Sequence, residues 1–193
     1  MKQNTYLRDA APAWAAFALA ATVLLPWYAM QDGGWLGNYG AIFGQAESAP
    51  GWLQATSHGR PWLWLALLPL LAAFAPLLPQ RRQQGLLLAW AGGVGLAGLL
   101  AAGFAIGPQG WNWFGWQDGA HALAVGQYGL GWGGALTLLA LLMLLALGLA
   151  RLGYFQGNQF VAGAIVLCSA LLILFIAVPV LRSLSGALLD EAG

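Results

Sequence analysis

An all-α membrane fold is what this sequence predicts: a polytopic protein with five transmembrane helices, the N-terminus cytoplasmic and the C-terminus periplasmic. Three observations carry that expectation. Only 7% of the 193 residues are charged while 60% are hydrophobic, against roughly 25% charged in soluble domains. So few charges could not cover a water-facing surface. Five apolar runs each reach the ~20 residues that a helix needs to cross a hydrocarbon core of ~30 Å. The lysines and arginines fall mostly on alternate connections, which sets an orientation.

The runs follow in order as roughly 12–30, 61–79, 85–106, 128–152 and 160–181. Lipid offers no partner to an open backbone amide, so each run reads as helix. A barrel would need alternating polarity, which the nearly all-apolar stretch from Leu138 to Leu147 denies. The opening, with Lys2 and Arg8 before a long apolar run, reads as a retained signal anchor rather than a cleaved leader. The third run carries Ala89, Gly93, Ala97, Ala101 and Ala105 at every fourth position. Such a small-residue stripe lets another backbone come close. It makes Gly93, Ala97 and Ala101 the expected helix-packing residues and places this helix in the bundle interior. The fourth run is leucine-rich all round and is expected to face lipid widely. Pro26, Pro69, Pro76 and Pro179 sit within or near the helices and are expected to kink them.

Lys2, Arg8, Arg81, Arg82 and Arg151 share one side of this arrangement, and Arg60 and Arg182 the other. The positive-inside rule then puts the short loops in the cytoplasm and the long ones outside. The outer loops hold His58, His121, Asp32, Glu47 and Asp118. One of them, "GWNWFGWQDGAH", gathers Trp113, Trp116, Asp118 and His121. It reads first as an aromatic belt with a solvated Asp-Gly turn, and otherwise as a periplasmic recognition surface. The segments "WYAMQDG" and "WFGWQDG" repeat faintly, as two parallel helical hairpins would.

Several function classes find no residues. A net charge of +1 gives no footprint for nucleic acid. A single cysteine, Cys168, excludes an internal disulfide. The two histidines stand far apart without ligand spacing, so no metal or cofactor is expected. The membrane interior holds no acid or base of the kind that carries protons. Its polar groups are Thr22, Thr137, Cys168 and Ser169, the last two expected as a buried packing pair. No phosphate-binding loop or zinc-protease motif occurs, and no enzyme activity is expected.

The fifth run ends "ILFIAVPVLRSLSGALLDEAG". With Pro179, Leu181, Arg182, Leu188, Leu189, Asp190, Glu191 and Gly193, it resembles the opening helix of bacterial binding-protein-dependent ABC transporter permeases of the ferric-iron type. That resemblance covers about twenty residues. It implies a four-helix membrane extension over residues 1–152, built as two hairpins, and the start of a permease core over 153–193. It implies transport of ferric iron or another small solute across the inner membrane. The implied partners are the lipid bilayer, the rest of the permease, two ATPase subunits and a periplasmic binding protein. The family's cytoplasmic EAA loop, which docks the ATPase, is absent from these residues. The alternative is a small non-catalytic membrane subunit that serves assembly or scaffolding of a larger complex.

Overall fold

The structure, a computed structural model, describes residues 9–29, 50–57, 61–107, 110–111, 129–177 and 179–180. They are mostly helical, as the composition requires. Helix α1 spans Ala10–Leu24. Asp9 caps it by accepting a hydrogen bond from the Ala11 N–H, and Pro12 falls in the first turn, where a missing N–H costs nothing. The helix stops well before Met30 because the residue before a proline is pushed into extended backbone. Leu25, before Pro26, is extended.

A short helix, α2 (Gly51–Ser57), precedes a 3-10 helix over Pro61–Leu77. Pro69 and Pro76 lie inside that 3-10 segment. Each removes a backbone donor, so the segment cannot hold an unbroken α-helical ladder. Helix α3 runs Arg81–Ala105, α4 runs Trp132–Arg151 and α5 runs Gln159–Leu172. A π-helical turn, Ile173–Ala177, extends α5. Two small antiparallel pairs complete the order: β1 (Tyr28–Ala29) with β4 (Gly129–Leu130), and β2 (Ile106–Gly107) with β3 (Gly110–Trp111).

The packing is a ring of four. α1 lies on α4, α4 on α3, α3 on the 3-10 helix, and the 3-10 helix on α1. Helix α5 sits outside the ring and packs mainly on α4. Two helices among the described residues are long and apolar enough to cross a membrane by length and composition, α4 and the stretch Gln159–Ile176. That is fewer than the five expected. α1 has 15 residues, and the second expected span is the proline-broken 3-10 segment.

The expected roles of the third and fourth helices are exchanged. α4, expected to face lipid, is the central element, with 61% of its apolar window buried. Uniform apolarity marks a helix surrounded on all sides as well as one in lipid. Among the residues of α3 whose burial is described, one face is buried. Its buried positions are Gly85, Leu88, Gly92, Gly95 and Leu99, spaced alternately three and four apart, as in a coiled-coil seam. Along it the backbones nearly touch. A Cβ built on Gly92 would lie 2.6 Å from the Leu141 carbonyl oxygen, and one on Gly148 would lie 2.8 Å from the Ala89 Cα. A Cβ on Gly95 would meet both Leu141 and the Pro69 ring at about 3.0 Å.

The expected packing stripe is not this seam. Gly93 has nothing within 4 Å of a built Cβ, and Ala97 and Ala101 are exposed. The reason is helix geometry. At 100° per residue a strict fourth-residue repeat drifts by about 40° per step. It therefore leaves the contact at Ala89, beside Gly148, and winds onto the open face by Ala97.

Candidate functional site: buried polar anchors at the two ends of the bundle

Charged and polar groups inside an apolar bundle are costly unless paired, so the buried ones mark the candidate site. At one end, the N-terminus of α1 meets the C-terminus of α4 and the first turn of α3. The Arg151 Nη2 donates to both carboxylate oxygens of Asp9. Its Nη1 donates to Gln84 Oε1 at 3.2 Å, and Gln84 Nε2 donates to the Leu78 carbonyl at 2.7 Å. The side chains of Arg151 and Asp9 are only 4% and 16% exposed. One chain of bonds thus ties α1, α4, α3 and the end of the 3-10 helix. The helix dipoles add to it, because a carboxylate at an N-terminus and a guanidinium at a C-terminus both complement the local partial charge.

Further along the bundle, Thr22 and Thr137 meet at 3.2 Å, fully buried between α1 and α4. Each also donates to a carbonyl on its own helix, Thr22 to Ala18 at 2.9 Å and Thr137 to Gly133 at 2.8 Å. At the other end, the fully buried Gln54 treats Tyr28 as a strand would. Its Oε1 accepts from the Tyr28 N–H and its Nε2 donates to the Tyr28 carbonyl, both at 3.1 Å. The carbonyls of Pro26 and Trp27 accept from Gly133 and Gly131 at the start of α4. The Trp27 indole N–H is buried without a hydrogen-bond partner.

These stations are anchors and not a relay. Thr137 and Arg151 lie on one helix, 14 residues and about 21 Å apart at 1.5 Å per residue, far beyond the reach of a hydrogen bond. Among the described residues no group of three His, Cys, Asp or Glu side chains could hold a metal. Replacing Gln54 by leucine is expected to lower stability by about 1–3 kcal/mol, since a buried side chain that makes two backbone bonds is lost. Thermal unfolding in detergent micelles measures it, and an unchanged midpoint would show that the bonds carry no weight.

Of the residues singled out in the sequence, Thr22 and Thr137 are brought together. Cys168 and Ser169 are exposed on α5, not a buried pair. Gly93, Ala97 and Ala101 lie off the intramolecular seam. Trp113, Trp116, Asp118, His121, His58 and Asp32 lie outside the described residues, as do the "WFGWQDG" segment and residues 181–193. The Asp9–Arg151 pair is not legible in the sequence, where Arg151 enters only the count of charges that sets the orientation. It is the last residue of α4. The available signal was one carboxylate and one arginine, each flanking an apolar run on the same side of the chain. No family model, curated protein or solved structure matches this chain.

Proposed function

We propose that this chain is a membrane-spanning permease component, the N-terminal region of a binding-protein-dependent ABC transporter. In this reading it is a multi-pass protein of a bacterial inner membrane and serves the uptake of ferric iron or another small solute. The observation that supports it is the contrast between α4 and α5. α4 and the stretch Gln159–Ile176, which α5 opens, are both long and apolar enough to cross a membrane, yet 61% of the first is buried within the chain and 6% of the second. A helix that is apolar on all sides needs apolar surroundings. Lipid and the remaining helices of a permease core would supply them. Residues 1–152 then form the extension, and α5 opens the core.

The orientation follows the same reading. The end that carries Asp9, Arg81, Arg82, Gln84 and Arg151 faces the cytoplasm. A cysteine at the exposed Gln83, with Cys168→Ser, is expected to react with a membrane-impermeant maleimide in inverted vesicles only. Labelling in right-side-out vesicles alone would reverse the topology and remove the outward run of α5 that the permease reading needs.

The function is tested by tagging the chain at its N-terminus in its native host and purifying it in mild detergent. An ATPase subunit is expected to co-purify, with ATP hydrolysis stimulated by a ferric-loaded binding protein. A polypeptide that never carries an ATPase would overturn the proposal. A second reading, a small assembly or scaffolding subunit, draws on the open stripe of Gly93, Ala97 and Ala101. Under it, Gly93→Leu with Ala97→Leu should release a partner while the chain stays inserted. Unchanged association would exclude the stripe.

A further inference from the structure

We infer that α5 is a hinged strap, which turns about Gly153–Gly157 and closes a groove against α1. The hinge is bounded on both sides. α4 ends in closed bonds, Leu152 N–H to the Gly148 carbonyl and Gly153 N–H to the Ala150 carbonyl, each at 3.1 Å. α5 begins equally firmly, with Asn158 Oδ1 accepting from the Phe160 and Val161 N–H groups at 3.0 and 3.2 Å. A change of backbone angle is thereby confined to the residues between them.

Those residues are strained. Gly153 and Gly157 have φ of 97° and 72°, which glycine adopts freely. Phe155 and Gln156 have φ of 54° and 56°. For residues with side chains this left-handed region carries a steric cost, and it persists where packing holds it. The packing is visible for one of the two. Phe155 rests against Ala146, Ala150 and Ala162, whereas Gln156 is exposed. Phe155 thus holds the turn twice, through this ring contact and through its carbonyl, which accepts from the Asn158 N–H at 3.1 Å, and the turn relaxes once the ring moves.

The surface on which α5 rests is smooth. Ala146 and Ala150 of α4 face Ala162 of α5. The nearest atom to a Cβ built on Gly163 is the Met143 sulfur, at 3.7 Å. Apart from Val166 of α5, which packs on the same alanines, small residues and one flexible thioether make this contact, so few side chains must be pulled apart when α5 swings. There is also room for the swing. A groove of about 480 Å³ runs between α1 and α5 over α4, lined among others by Ala10, Trp14, Met143, Leu147, Phe160 and Gly163. Rotation toward α1 carries Phe160 onto Trp14 and fills it. None of this depends on the transport reading, since it concerns the chain alone.

The test uses the native Cys168, exposed on α5, and a second cysteine at the exposed Ala16 of α1. Both are spin-labelled in the full chain in phospholipid nanodiscs, and distances are read by double electron–electron resonance. Two resolved distances are expected. A control pair within the ring, Ala16→Cys with Ala97→Cys in a Cys168→Ser background, should give one. Phe155→Ala removes the ring but keeps the steric cost of the left-handed backbone, and should raise the share of the shorter α1–α5 distance at least threefold. A single α1–α5 distance, as narrow as the control, with the native turn would overturn the strap. Two distances in the control pair would move the motion into the ring and overturn it equally.

Discussion

Replacing Arg151 by leucine is expected to destabilise the bundle by about 3–5 kcal/mol, the cost of leaving one member of a buried ion pair without its partner. Asp9 would keep its charge in a site 16% exposed, and only the Ala11 N–H would remain of the hydrogen bonds it makes here. Gln84 would lose its donor at the same time. The converse variant, Asp9→Asn, keeps an N-cap of equal quality and strands the guanidinium instead. It belongs to the same range. The double variant, Asp9→Asn with Arg151→Leu, buries no charge and should recover more than half of the loss. Unfolding by steric trapping in bicelles gives these differences. Single losses below about 1 kcal/mol would mean that the pair behaves as a solvated surface bridge and that the anchor is not what joins the four elements.

The second large effect is on the α3–α4 seam. Gly148→Leu and Gly92→Leu should each cost about 3 kcal/mol or more, at or above the upper end of the overpacking range. The obstacles are backbone atoms, the Ala89 Cα for one and the Leu141 carbonyl for the other, and backbone cannot turn aside as a flexible side chain does. In lipid no hydrophobic drive pulls helices back together, so lost contact between α3 and α4 is not regained elsewhere. Gly93→Leu, one residue from Gly92, should be neutral or up to about 1 kcal/mol stabilising, because it meets nothing within 4 Å and leucine is the better helix former. The same unfolding measurement separates the two outcomes. Equal losses at residues 92 and 93 would remove the seam as described.

Much of the secondary structure was legible. The third and fourth apolar runs match α3 and α4 to within a few residues. α3 starts four residues before its apolar run, because residues 81–84 form its polar first turn, and α4 is bounded locally by glycine at 131 and 153. α1 is shorter than its apolar run because Pro26 ends the helix rather than kinking it, and the carbonyls of Pro26 and Trp27 accept from Gly133 and Gly131 instead. The second apolar run differs from an ordinary span because Pro69 and Pro76 break the α-helical ladder rather than kink it.

The site was less legible. Gln54 is one glutamine in a polar connection, and nothing local says that it will bond both backbone groups of Tyr28, 26 residues away. A stripe at every fourth residue looks straight on paper and winds around a real helix. The exposed face of α5 could be suspected from its apolarity, but not the left-handed turn that sets its angle, since "YFQG" carries only one glycine for three of the positive-φ positions Phe155, Gln156 and Gly157.

The amino-acid sequence by itself determined what depends on local composition: apolar helices and the approximate ends of α3 and α4. Each is fixed by backbone hydrogen bonding and by the cost of moving charge into an apolar phase. Only the tertiary structure decided which faces meet. Contact depends on the rotation of one helix about its axis relative to another, and a glycine one position away, at 93 rather than 92, faces open space. It alone brought Asp9 to Arg151 across 142 positions, because an ion pair between distant segments exists only once packing has brought their helices side by side.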